Sequence, residues 1–301
     1  MHDIIIIGAG MAGMTAALYC LRTDKNVLIL EAETVGGQIA NSPRVENYPT
    51  IEAIGGSELA NRLFEQVLSL GAEFELERVL RVDKVAEKHF VVTTDYGTHE
   101  GKAVIVAAGA KHRPLGLPRE EELVGKGVSY CAVCDGPFFK GEEIALIGGA
   151  NSALQYALAL SSYCTKVHMI VLLDYLMGEE ALMRAVRNTP NVQIYMETVC
   201  EEFIGSPELT AIRIRNKDGE KVLPVKGAFV AIGQMPDNEA YTNLADLNQW
   251  GYFDSGEDCT TRTEGFFVAG DCRSKRVRQL TTAAADGASA AIAACNYLLR
   301  E

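Results

Sequence analysis

The chain has 301 residues, too many for one small core and suited to one large domain or two medium ones. Hydrophobic residues make up 48% and charged residues 23%, which fits a globular protein and excludes a disordered one. The formal net charge of −12 at pH 7 argues against nucleic acid as a partner of the molecule as a whole.

The first predicted strand, residues 3–7, is a β-branched run typical of a fully buried parallel strand. Gly8-Ala9-Gly10-Met11-Ala12-Gly13 follows, then a helix to about residue 21 and a second strand over 27–30, ending at Glu31. In this order the glycines have distinct duties. Gly8 permits the tight turn, Gly10 lets backbone approach a pyrophosphate, and Gly13 lets the helix pack on the strand. The phosphates would lie at the helix N-terminus, where free N–H groups and the dipole favour negative charge. Glu31 can accept hydrogen bonds from a ribose diol. A glycine-rich turn without a ligand is the plainer reading, but strand, turn, helix, strand and terminal acid all appear in sequence. Residues 4–21 carry no charge, yet Gly8, Gly10 and Gly13 interrupt them and no Lys or Arg precedes them. A membrane span or signal peptide is therefore not expected, and the compartment is expected to be cytoplasmic.

Strands over 90–94 and 103–107, the latter running into Ala108 and Gly109, close the first part, and residues 114–118 read as a linker. Eight cysteines in a reducing compartment do not suggest a structural disulfide framework. Cys20, Cys164, Cys200, Cys259, Cys272 and Cys295 stand singly and read as small buried hydrophobes. Cys131-Ala132-Val133-Cys134 is different, because two thiols at this spacing can close a small redox-labile disulfide. Asp135, the next residue, can move the proton that dithiol chemistry requires. A zinc half-site would need a second Cys or His pair at metal spacing, which the sequence lacks, so no metal is expected.

A second unit repeats the layout of the first: a strand over 143–147, Gly148-Gly149-Ala150-Asn151-Ser152-Ala153, a helix to about residue 162 and a strand over 166–170. Near the end, residues 265–269 form a further buried strand delivering Gly270-Asp271, and an Ala-rich helix from about 281 must pack closely. The expected fold is α/β, with two Rossmann-like dinucleotide-binding-type domains, the second inserted into the first. The boundaries are 1–113 with 240–301 for the outer domain and 114–239 for the insertion.

Taken together, Gly8 to Gly13, Gly36-Gly37-Gln38, Glu46-Asn47-Tyr48-Pro49, Cys131-Ala132-Val133-Cys134-Asp135-Gly136, Ala231-Ile232-Gly233-Gln234-Met235-Pro236, Gly270-Asp271 and Arg278-Gln279 resemble the low-molecular-weight thioredoxin reductase family of flavoproteins over essentially the whole chain. The resemblance implies that the outer domain binds FAD. Gly8, Gly10, Met11, Ala12, Gly13 and Glu31 would hold its adenosine diphosphate part, and Gly37, Gln38, Asn47, Gly109, Gly270, Asp271, Arg278, Gln279 and Leu280 would line the rest. It also implies that Cys134 faces the flavin, that Cys131 attacks the disulfide of thioredoxin, and that the protein is a homodimer.

The inserted domain departs from that family. NADPH-dependent members carry G-x-G-x-x-A and, after the second strand, a basic motif of the form H-R-R-x-x-x-R-A whose donors hold the 2′-phosphate. Here the middle glycine is Ala150, and the basic motif aligns with Val171-Leu172-Leu173-Asp174-Tyr175-Leu176-Met177-Gly178. NADH in place of NADPH would want an acid at the strand end, where Val171 stands. NADH or NADPH use through an atypical loop stays open, as does an FAD-holding redox sensor without turnover. Loss at both ends of the nucleotide site favours another donor. In this the chain resembles the ferredoxin-dependent flavin thioredoxin reductases, with ferredoxin, or another one-electron carrier such as flavodoxin, feeding FAD. Arg273, Lys275, Arg276 and Arg278 would form a basic patch for an acidic carrier, although such clusters are often plain solvated surface.

Overall fold

The computed structural model describes residues 1–42 and 45–300, and the chain divides into two compact units, Met1–Lys111 with Met235–Glu301, and His112–Gln234. Residues 114–118 thus lie inside the second unit and do not join two units. The reason is local: the nearly buried carboxylate of Glu120 accepts the N–H groups of Leu115, Gly116 and Leu117 at 2.9, 2.8 and 3.2 Å and pins that stretch down.

In the first unit the sheet order is Glu73–Leu76, Val27–Glu31, His2–Ile7, Thr98–Val106, His89–Thr94, Val79–Ala86. The first four strands run parallel, and the last two complete an antiparallel meander. Phe266–Val268 pairs in parallel with the C-terminal half of Thr98–Val106. Ile4 to Ile7 are buried on both faces of the sheet, as the unbroken β-branched run requires. Ile4 and Ile6 join one core, beneath the helices Met11–Leu21, Gly56–Ser69 and Leu280–Leu299, while Ile5 and Ile7 join the other. Met11–Leu21 and Leu280–Leu299 pack closely because the second helix presents Gly287 and alanines: a Cβ on Gly287 would strike the Ala12 carbonyl.

In the second unit Val192–Tyr195, Lys166–Ile170, Glu143–Ile147, Gly227–Val230 and Val128–Ser129 form a fully parallel sheet in that order. The helix Asn151–Ser161 covers one face, and the antiparallel strands Val199–Ile204, Ala211–Asn216 and Gly219–Pro224 contribute to the core on the other. Ligands of doubly wound folds bind beyond the carboxyl ends of the parallel strands. At those ends lie Gly8, Glu31, Gly109 and Gly270 in one unit, and Gly148, Val171 and Cys131 in the other. Among the described residues no helix is long and apolar enough to cross a membrane.

Candidate active site

Gly8 adopts a left-handed φ of +106°, and a Cβ there or on Gly13 would run into backbone carbonyls of Ala107 and Gly8. Both positions therefore need glycine for reasons internal to the turn. Gly10 begins the helix Met11–Leu21 with no side-chain cap, leaving the first N–H groups free for an anion. Glu31 accepts the N–H of Ala9 at 2.7 Å and that of Glu33 at 2.9 Å, so its carboxylate is held against the turn. Gly36 closes the arrangement, donating to the Ala9 carbonyl at 2.8 Å, with Gly37 and the exposed Gln38 just after it.

Residues far apart in sequence meet in the same unit. Asn47 Nδ2 donates to Gln279 Oε1 at 3.1 Å, and Gln279 caps the helix that opens with Leu280 through a reciprocal pair with Thr282. Gly270, at φ +79°, starts the turn that carries Asp271. Asp271 Oδ1 is buried without a hydrogen-bond partner, and burial pushes its carboxyl above the ordinary value against the pull of Lys275 and Arg278. An orphaned buried acceptor beside a phosphate-type turn fits a polar ligand.

The expected basic docking patch is not there. Arg273 is buried and doubly bonded to Asp286 at 2.7 and 2.8 Å, and the Lys275 ammonium, 7% exposed, meets the same carboxylate at 2.8 Å. Arg278 stacks on Tyr252 at 4.2 Å and donates to the carbonyls of Asp271, Arg273 and Lys275. These cations neutralise one buried acid and brace the turn, so of the four only Arg276 is exposed. Asp286 also accepts the Gly270 N–H at 3.0 Å. Asp286 is the one acid in the Ala-rich helix Leu280–Leu299, and that isolation is the sequence's only signal of a buried partner.

In the second unit Cys131 and Cys134 form a disulfide just past the strand Val128–Ser129. Cys131 Sγ accepts the Cys134 N–H at 3.2 Å and caps the short helix Ala132–Asp135. The Ser129 hydroxyl links the group: it donates to Asp135 Oδ2 at 2.6 Å and accepts the Cys131 N–H at 3.0 Å. Asp135 Oδ1 is buried and unpartnered, and burial pushes the carboxyl up while Ser129 pulls it down. The result is an acid closer to the working pH of a proton carrier. Nothing in the spacing of the sequence marks Ser129 for this role. Tyr130 is fixed on the other side by donating to Glu120 at 2.8 Å and stacking on His112 at 5.2 Å.

The second turn keeps the backbone of the first but has different residues at its middle position and at the strand end. Ala150 is exposed at φ −97° and ψ 178°, close to the −79° and −176° of Gly10, where a Cβ would meet nothing. The methyl of Ala150 therefore costs the fold nothing, and the sharper change lies at the strand end. Where Glu31 reaches the Ala9 N–H, Val171 is buried with its Cγ1 against Gly149. Leu176 fills the core as well, while Leu172, Tyr175 and Met177 are exposed. Met177 donates to the Gly149 carbonyl at 2.8 Å and Glu179 to Asn151 Oδ1 at 2.8 Å, which fastens the apolar segment across the turn.

The chain matches the pyridine nucleotide-disulphide oxidoreductase family over residues 2–287. It belongs to that family. It is similar to a thioredoxin reductase of Bacillus subtilis, 38% identical and covering 99% of this chain and 95% of the relative. It is also similar to a 34.2 kDa protein in the rubredoxin operon of Clostridium pasteurianum, 37% identical over 98% and 97% of the two chains. Among solved structures, a thioredoxin reductase from Streptococcus pyogenes superposes with a TM-score of 0.94 at 35% identity, covering 99% of this chain and 98% of that one. Like the thioredoxin reductase class of this family, the protein is a flavoprotein with FAD as its cofactor. The free helix N-terminus at Gly10, the carboxylate of Glu31 and the orphaned Oδ1 of Asp271 are groups suited to it.

Proposed function

We propose that the protein is a thioredoxin reductase supplied with electrons by reduced ferredoxin, or a similar one-electron carrier, in place of NADPH. The observation that carries the donor assignment is the pair of equivalent strand ends. Glu31 presents a carboxylate to its turn, while Val171 presents a buried isopropyl group, followed by exposed leucine and tyrosine where a 2′-phosphate needs cations. The similarity to a protein in a rubredoxin operon also favours an electron-carrier protein as donor.

The outer unit would hold FAD through Gly8, Gly10, Met11, Ala12 and Gly13 at the pyrophosphate and Glu31 at the adenosine ribose. Gly37, Gln38, Asn47, Gly109, Gly270, Asp271, Arg278, Gln279 and Leu280 would line the ribityl chain and flavin. FAD supplies the capacity to take electrons singly and release them in pairs. Once the Cys131–Cys134 disulfide is reduced, the Cys131 thiolate attacks a disulfide sulfur of thioredoxin and expels one partner thiolate. The thiolate of Cys134 then attacks Cys131 in the mixed disulfide, closing the ring and releasing the second partner thiolate. Asp135, held by Ser129, takes the Cys134 proton and returns it to a leaving thiolate. We further propose a cytoplasmic homodimer.

NADPH or NADH use through an atypical loop is the second reading, favoured by the backbone at Ala150, which matches that at Gly10. Anaerobic mixing of the holoenzyme with NADPH, NADH or reduced ferredoxin decides between them. Ferredoxin is expected to bleach the flavin band and sustain thiol formation on thioredoxin, with both nicotinamides slower by at least about a thousandfold, since each lost charge-assisted hydrogen bond is worth about 1.5–3 kcal/mol. Rapid stoichiometric bleaching by NADPH or NADH would refute the donor assignment. Flavin reduction without any thiol formation on thioredoxin would instead indicate a sensor.

A further inference from the structure

With Cys131 and Cys134 read as the reacting thiols, as above, we propose that Tyr130 is a positioning residue. It keeps the two sulfurs close in the reduced protein and thereby sets how readily their disulfide opens. Tyr130 immediately precedes Cys131, yet its side chain is engaged by residues that take no part in thiol chemistry. Its hydroxyl donates to Glu120 at 2.8 Å. The Glu120 carboxylate, 2% exposed, also accepts the N–H groups of Leu115, Gly116 and Leu117, so it cannot follow the tyrosine if the loop moves. Leu123, in the same short helix Glu120–Leu123, is wholly buried in a cluster against which Leu115, Leu117 and Tyr130 pack.

The Tyr130 ring stacks on His112, with centroids 5.2 Å apart and planes 13° from parallel. His112 and Gln234 are the first and last residues of the second unit, and Gln234 Nε2 lies 3.3 Å from His112 Nδ1. The next pair inward is joined too, Arg113 donating to the Gly233 carbonyl at 3.0 Å. Tyr130 therefore links both ends of the unit to a buried carboxylate, and the redox loop continues directly from its backbone. Ser129, 3% exposed, adds a restraint by accepting the Cys131 N–H at 3.0 Å.

The equilibrium of a disulfide with an external dithiol depends on how much chain freedom is lost when its ring closes. The Tyr130 side chain makes its contacts without sulfur, so they outlast the opening of the disulfide and hold Cys131 where the ring can close again. Burial and Glu120 raise the Tyr130 phenol, and burial lowers His112 to about 4, so both rings stay uncharged at neutral pH. The same proximity governs turnover. When the Cys134 thiolate attacks Cys131 in the mixed disulfide, the internal S–S bond forms, the bond to the partner breaks and the partner thiolate leaves. A loosened loop slows this step and lengthens the life of the mixed disulfide.

Tyr130→Phe keeps the ring on His112 and removes only the bond to Glu120. The test equilibrates FAD-loaded protein anaerobically with mixtures of reduced and oxidised dithiothreitol, then scores the Cys131–Cys134 disulfide by alkylation and mass spectrometry. The equilibrium constant for its reduction is expected to rise about tenfold in Tyr130→Phe, the effect of losing one hydrogen bond to a charged acceptor. Tyr130→Ala, which loses the stacking as well, should shift it further. Acid-quenched reaction with thioredoxin should show a longer-lived mixed disulfide on Cys131 in both variants. Tyr195→Phe, which removes a hydroxyl bonded to His168 at 3.1 Å in the sheet of the same unit, is the control and should leave the constant unchanged. An unchanged constant in Tyr130→Phe, even with a lower unfolding midpoint, would assign Tyr130 to fold stability alone and overturn the proposal. An equal shift in Tyr195→Phe would overturn it too. The dithiothreitol equilibrium needs neither thioredoxin nor ferredoxin, so its outcome is separate from failure of the partner or donor assigned above.

Discussion

Asp286→Asn keeps the size and shape of the side chain and can still accept the Gly270 N–H, but it removes the one anion facing two cations. Arg273 and Lys275 approach that carboxylate at 2.7 and 2.8 Å, and all three side chains are less than 10% exposed. Breaking a buried pair by neutralising one partner costs about 3–5 kcal/mol, because the remaining charge cannot return to water without unfolding. For a unit of this size that becomes a fall in unfolding midpoint of roughly 6–20 °C. Thermal unfolding of the FAD-loaded protein, followed by circular dichroism and flavin fluorescence, measures it, and earlier flavin release is expected because Asp286 braces the turn carrying Asp271. The pH dependence supplies a sign. Burial works against the charge of Asp286, but the ion pairs with Arg273 and Lys275 outweigh it and hold the carboxyl below its usual range. A depressed folded-state value stabilises the fold above the unfolded carboxylate pKa of about 4, and this stabilisation is lost as pH falls through the folded value. The wild type should therefore lose this component on acidification below about pH 4, while the Asn variant should not show it. A midpoint change under about 2 °C at neutral pH would refute the reasoning, since it would mean that the two cations are solvated after all.

Ser129→Ala removes a donor that pulls Asp135 down, so Asp135 should titrate higher and the acid limb of the thiol-exchange profile should move to higher pH; an unchanged limb would show that Asp135 does not govern it. Asp135→Asn should slow turnover by about 10²–10⁴ with the flavin spectrum intact, as for loss of a general acid–base, measured by thioredoxin thiol release. Leu172→Arg with Leu173→Arg should raise NADPH affinity by roughly tenfold or more, at about 1.4 kcal/mol per tenfold, with little effect on NADH, in equilibrium binding; equal gains for both would mean that the added cations do not meet a 2′-phosphate. Cys131→Ser should abolish thioredoxin reduction while ferredoxin still bleaches the flavin, and retained turnover would exclude it as the attacking thiol.

Much of the site was readable because its parts are local. The glycine turn, the acid at the strand end and the Cys-x-x-Cys-Asp run each place their groups within a few residues through backbone geometry alone. The four basic residues at 273–278 misled for the complementary reason. A run of charge resembles a solvated patch until a distant acid is folded against it, and Asp286 lies in a helix whose packing the sequence does not display. Residues 114–118 resembled a linker because Pro and Gly do not reveal a carboxylate, Glu120, arriving to bind their N–H groups. Ala150 takes nearly the same extended conformation as Gly10 in the first turn, so the change of residue leaves the backbone of the turn as it was.

By itself, then, the sequence determined the two repeated strand-turn-helix units, the buried central strands and the dithiol beside its acid, since these follow from side-chain periodicity and steric demands over short spans. Only the tertiary structure decided how the charges at Arg273, Lys275 and Asp286 cancel, that Val171 is buried where Glu31 is polar, and that Ser129 holds Asp135. Each of these depends on which distant surfaces are excluded from water together, and local preference cannot set that.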